Sequence, residues 1–103
     1  MNRFEFELIL DKPLEYGEKK IEKLIFDFES LTGNDIIEVE KELSTVVIYP
    51  EGSAEYLGAL AAKAAGVSSV IIRDLPAKDF FKVKAKARVF INMCLGILKT
   101  QEN

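Results

Sequence analysis

Residues 3–11 read RFEFELILD, with Phe4, Phe6, Leu8 and Leu10 on one side of an extended chain and Arg3, Glu5, Glu7 and Asp11 on the other. A period of two is the signature of a half-buried strand, and it predicts a strand over 3–11. Pro13 and the Tyr16-Gly17 pair punctuate the next segment, after which Leu24, Phe26 and Phe28 resume the alternation beside Glu22 and Asp27. The expectation is a β-hairpin with a long, charged loop. Two strands alone are marginal in water, so the aromatic face of the hairpin has to lie on helices or on strands of another copy. Its open edges are candidate assembly surfaces.

C-terminal to the hairpin the apolar period lengthens to that of helices. In LTGNDIIEVEKEL, Thr32 is a natural N-cap and Asp35 stands three residues on, near the positive end of the helix dipole. Ile36, Val39, Leu43, Val46 and Val47 keep helical spacing toward Pro50, while the β-branched run at residues 45–49, TVVIY, suits a helix or a short strand equally. Pro50 and Gly52 break the chain, Ser53 offers a second N-cap, and AEYLGALAAKAAG predicts a helix over about 53–65 closed by Gly66. Gly58, Ala61, Ala62, Ala64 and Ala65 let another backbone approach this helix closely, and Tyr56, Leu57 and Leu60 supply bulk. Residues 68–74 suit one or two helical turns before Pro76, which sits where a last helix tolerates proline, and KTQEN reads as a frayed tail. The fold class is therefore α+β: one domain over 1–103, an N-terminal β-hairpin packed on a small bundle of three to four helices.

The last helix, within LPAKDFFKVKAKARVFINMCLGIL at residues 75–98, has an unusual circumference. At 100° per residue Phe80, Val83, Ala87, Phe90, Ile91, Cys94 and Leu98 form one stripe, with Lys78, Lys82, Lys86 and Asn92 turned away from it. That stripe is the expected core contact, and it places Cys94 as a buried, reduced thiol. Val89 and Met93 lie on the opposite side and Phe81 and Leu95 on a flank, so the C-terminal half is apolar nearly all round. Such a helix is either central to a core or covered by another chain. In so short a chain a covering partner is favoured, with Phe81, Val89, Met93 and Leu95 as the partner-binding candidates. The alternative is that the second helix and the hairpin flank the last helix and leave only scattered apolar residues exposed.

Other functions are disfavoured by composition. The 103 residues are 49% hydrophobic and 30% charged, with a net charge of -3, so the long-range field repels phosphate backbones and anionic lipid and favours neither nucleic acid nor membrane as a partner. The basic run KVKAKAR spreads around a helix and has no aromatics arranged for base stacking. No stretch approaches a bilayer span, and MNRFEFELIL lacks the layout of a signal peptide, which suits a cytoplasmic protein. There is no histidine, and the single cysteine can build neither a zinc site nor an activated nucleophile, so no metal, cofactor or catalytic residue is assigned. Glu38, Glu40 and Glu42 beside Lys41 read as a solvated helix face, and neither GxxxxGK[ST] nor GxGxxG is present. A binding protein is expected rather than an enzyme.

Three segments carry a resemblance: the strand-turn-strand ending in LIFDFESLTGNDIIEVEK, the helix YLGALAAKAAGV, and LPAKDFFKVKAKARVFIN. In this order they resemble the tail assembly chaperone family of long-tailed phages and their prophages, with the Thr-Gly-x-Asp helix start and the Asp79-Phe80 opening weighing most. STVVIYPEGS departs from the more polar linker expected there. The resemblance implies a protein of the host bacterial cytoplasm that binds the tape measure protein noncovalently, keeps it soluble, helps recruit tail tube protein subunits, self-associates and is absent from the mature virion. The alternative is a ring-forming structural subunit of the tail or head-tail junction that stays in the particle.

Overall fold

Phenylalanine and leucine alternating with charge produce a sheet with one greasy face, and that face organises the molecule. A computed structural model describes residues 4–43 and 53–96. Strands β1 (Glu5–Tyr16) and β2 (Lys19–Asp27) form an antiparallel hairpin, and a 3-10 turn at Phe28–Ser30 leads into helices α1 (Gly33–Glu42), α2 (Ala54–Ala65), α3 (Ser69–Arg73) and α4 (Ala77–Cys94). The architecture is the α+β hairpin-on-helices arrangement expected from the two periodicities. The undecided stretch 45–49 lies outside the described residues, as does the continuation of the first helix toward Pro50.

The register sets Phe6 opposite Phe26 and Leu8 opposite Leu24. Phe6 and Phe26 stack with centroids 4.8 Å apart, and Leu8, Leu10, Leu24, Phe26 and Phe28 are buried on the helices. The long charged loop is corrected. The strands run on to a two-residue connection at Gly17 and Glu18, in which Gly17 alone takes a positive φ, 64°, as a type II′ turn requires at its first central position. Pro13 does not end β1 because it falls in a bulge: between the pairs Ile9–Lys23 and Leu14–Ile21, Leu10 through Pro13 stand against Glu22 alone. Where the ladder is interrupted, the missing N–H of proline costs no bond.

Three of the four helices begin where a side chain accepts from an exposed N–H group. Thr32 Oγ1 accepts from Asp35 N at 3.3 Å while Asp35 Oδ2 accepts from Thr32 N at 2.9 Å, a complete capping box on α1. Ser53 accepts from Tyr56 N on α2, and Ser68 from Val70 N on α3. Gly66 closes α2 in the left-handed region at φ 71°. Pro76 precedes α4 and offers no side-chain cap; its carbonyl accepts from Asp79 N and Phe80 N, both at 2.9 Å. Asp79, only 3% exposed, lies in the first turn of α4, where the helix dipole favours its negative charge.

The helix enclosed by the fold is α2. Residues 56–62 are buried all round, and α2 packs against β2, α1, α3 and α4. A Cβ on Gly58 would stand 3.2 Å from the Phe80 ring, so the glycine is what allows α4 to come this close. Val83 and Ala87 bury fully on the expected stripe of α4, with Phe80, Phe90 and Ile91 partly buried beside them. A second cluster joins Val39 and Leu43 of the first-helix region to Tyr56, Ala59 and Leu60. Cys94 is a correction: it stands at the stripe's angular position but is exposed, because burial on a stripe depends on what packs over each turn, and the packing that covers Val83 and Ala87 does not cover Cys94.

Candidate protein-binding surface

The apolar residues assigned to a partner separate into distinct places on α4. Val89 is 45% exposed and Met93 half-buried, and four residues apart on a helix they are neighbours on one face. Lys82 and Lys86 precede them in the same row, at spacings of four, three and four, so this row is basic toward its N-terminal end and apolar toward its C-terminal end. Phe81, 63% exposed, lies about 12 Å along the axis from Val89 and turned from it by roughly 80°. Lys84 Nζ stands 5.1 Å from its ring centroid, which gives Phe81 a cationic neighbour. Leu95, 65% exposed, is the C-cap of α4 and turns to the flank opposite Met93. The structure thus brings Val89 and Met93 together and leaves Phe81 and Leu95 outside that patch.

The row continues onto the hairpin. Phe4, Phe6, Phe28, Lys86 and Val89 line a hollow of about 110 Å³ between the start of β1 and α4. Phe4 meets Phe90 edge-on, Phe28 stacks on Phe90 with centroids 5.5 Å apart, and Lys86 Nζ lies 5.5 Å from the Phe6 centroid. Phe4 and Phe6 are therefore part of the candidate surface, which reading α4 alone misses. Both are partly buried and packed at the edge of the core, so part of each ring stays open to that hollow.

The carboxylates of α1 do more than face solvent. Glu38 pairs with Lys63 of α2 and accepts from Asn34 Nδ2 at 3.2 Å, and Ser69 Oγ donates to Glu42 at 2.6 Å, so one edge of α1 is tied to α2 and α3. The hydrogen bond and charge of Lys63 hold the Glu38 carboxyl below its ordinary range, and Glu38 raises Lys63 in return. On the hairpin side Lys78 pairs with Asp11 and lowers its carboxyl in the same way. Among the described residues no cluster of acidic, cysteine or histidine side chains is arranged to hold a metal, and no helix is long and apolar enough to cross a membrane. Comparison with protein-family models, curated proteins and solved structures finds no match to this chain.

Proposed function

We propose that the chain is a phage or prophage tail assembly chaperone that holds the tape measure protein noncovalently in soluble form while tail tube subunits gather. The observation that carries this reading is the row Lys82, Lys86, Val89 and Met93, which opens into the hollow beside Phe4 and Phe6. A long, helical, apolar-rich client presents amphipathic faces, and a helix laid along such a row finds apolar contact at one end and lysines at the other. The reading of that client as the tape measure protein rests on the resemblance of the three segments. Charged residues around the row keep the unoccupied surface in solution.

Co-expression tests the reading. A tape measure protein of the same phage or prophage should move from the insoluble to the soluble fraction in its presence and co-purify with it, while finished virions should lack the chain. A client that stays insoluble, or a fixed number of copies in every purified particle, would refute the chaperone; the second result would make it a structural ring subunit.

A further inference from the structure

Among the described residues a separate groove lies away from α4, along the outer edge of β2. It has a volume of about 640 Å³ and runs beside residues 19–25, with Ala65, Gly66, Val67, Ser68 and Ile71 at the corner of α2 and α3 forming the facing wall. It shares no residue with the α4 row and does not depend on the function proposed above.

The edge of β2 is a row of main-chain groups aimed into this space. Phe28 N donates to Phe4 O at 3.2 Å. In an antiparallel ladder this makes Phe4–Phe28, Phe6–Phe26 and Leu8–Leu24 the bonded pairs, and it turns the main-chain N–H and C=O of Lys23 and Ile25 away from β1. No further strand pairs with them among the described residues, where the sheet has two strands. Ile21, Ile25, Val67 and Ile71 give the groove apolar lining, and Lys19, Lys20 and Lys23 stand along it against one carboxylate, Glu22. Of these lysines, Lys23 has Glu7 at 3.2 Å, while Lys19 and Lys20 have no ion pair among the described residues.

We infer that this groove binds an extended acidic peptide segment of a partner protein, added as a third strand to β2. The main chain supplies register through Lys23 and Ile25, alternate apolar side chains of the peptide meet Val67 and Ile71, and its carboxylates meet the lysines. Bounded by β2 on one side and the α2–α3 corner on the other, the space suits a single extended segment rather than the edge of a second folded hairpin with helices of its own. Of the charged residues that line the groove three are lysines and one is a glutamate, which favours acidic over basic sequence.

The test is fluorescence anisotropy at low ionic strength with a capped, labelled heptapeptide of alternating glutamate and valine, and with its lysine–valine counterpart. The acidic peptide should bind with saturation and the lysine peptide at least ~10-fold more weakly. Ile25→Pro deletes an outward N–H without touching the ladder and should weaken binding by a similar factor, whereas Ile9→Pro, which does the same at the free edge of β1, should leave it unchanged. The charge reversal Lys19→Glu with Lys20→Glu provides a second variant that keeps the backbone intact. Equal binding of the two peptides, or acidic-peptide binding indifferent to the charge reversal, would overturn the inference. So would self-association of the chain that Ile25→Pro abolishes, since the edge would then belong to a second copy.

Discussion

The ring of Phe4 meets the ring of Phe90 edge-on, with centroids 5.1 Å apart and planes at 78°, so the first residues of the hairpin are fastened to the C-terminal half of the last helix. Edge-to-face pairs contribute about 1 kcal/mol beyond the area they bury. Phe90→Ala is expected to destabilise the fold by about 3 kcal/mol through lost burial and the cavity left behind. A double-mutant cycle with Phe4→Ala, read by urea denaturation, should return a coupling of about 1 kcal/mol. Additive single effects would mean that the two rings only neighbour each other.

The capping box makes a separate, local prediction. Thr32→Ala and Asp35→Ala each remove half of a reciprocal pair at the start of α1, and each should lower stability by about 1 kcal/mol. Thr32→Ser should recover most of the loss. A Thr32→Ala variant with unchanged denaturation midpoint would contradict the cap's role.

Gly58 is constrained by space rather than by backbone conformation. A methyl group there would press on Phe80 Cε1 at 3.2 Å, but Phe80 borders a hollow of about 190 Å³ into which its ring can yield. The gain in helix propensity and this crowding oppose each other, so Gly58→Ala should change stability by less than about 1 kcal/mol. Gly58→Ile adds branches that must displace the Phe80 ring and press toward Ile72, and it should cost about 2 to 3 kcal/mol, measured by thermal or urea unfolding.

The Glu38–Lys63 pair gives a pH dependence with a defined sign. Glu38 has a lower pKa folded than unfolded, so its contribution is present above the ordinary glutamate value of about 4.3 and is lost as pH falls through the lowered value. Lys63 has a raised pKa, so its contribution holds below the unfolded lysine value and disappears as pH rises through the folded one. Both groups reach solvent, which keeps the effect small and screened by salt. The urea midpoint of the parent should exceed that of Glu38→Gln more at neutral pH than in acid, and added salt should narrow the gap.

Much of the fold is legible because its signals are local and periodic. Alternation in residues 4–10 and 24–28 depends only on the neighbouring side chains, and the caps at Thr32, Ser53 and Gly66 are short-range hydrogen-bonding and backbone effects. The turn is misread because Pro13 looks like a strand terminator, whereas the bulge beside it is a property of the pairing with β2. Gly17 followed by one polar residue is the signal that a two-residue connection was available. Cys94 shows the limit of a helical wheel: angle assigns a side to a residue, but the packing at each turn decides whether that side is covered. For the same reason the four partner-binding candidates on α4 do not form one patch, since Phe81 and Val89 differ in both height and direction, and the contribution of Phe4 and Phe6 follows from the docking of the hairpin.

The most direct test of the proposed client-binding role replaces the apolar end of the α4 row and leaves the core untouched. Val89→Asp with Met93→Asp should reduce co-purification of the tape measure protein at least ~10-fold, since truncating apolar anchors of this kind removes about 1 to 2 kcal/mol each, while circular dichroism and the denaturation midpoint stay close to those of the parent. Phe81→Asp, which lies outside the patch, should have a much smaller effect. Full client recovery by a folded Val89→Asp, Met93→Asp protein would contradict the assignment of that row as the place where the client sits.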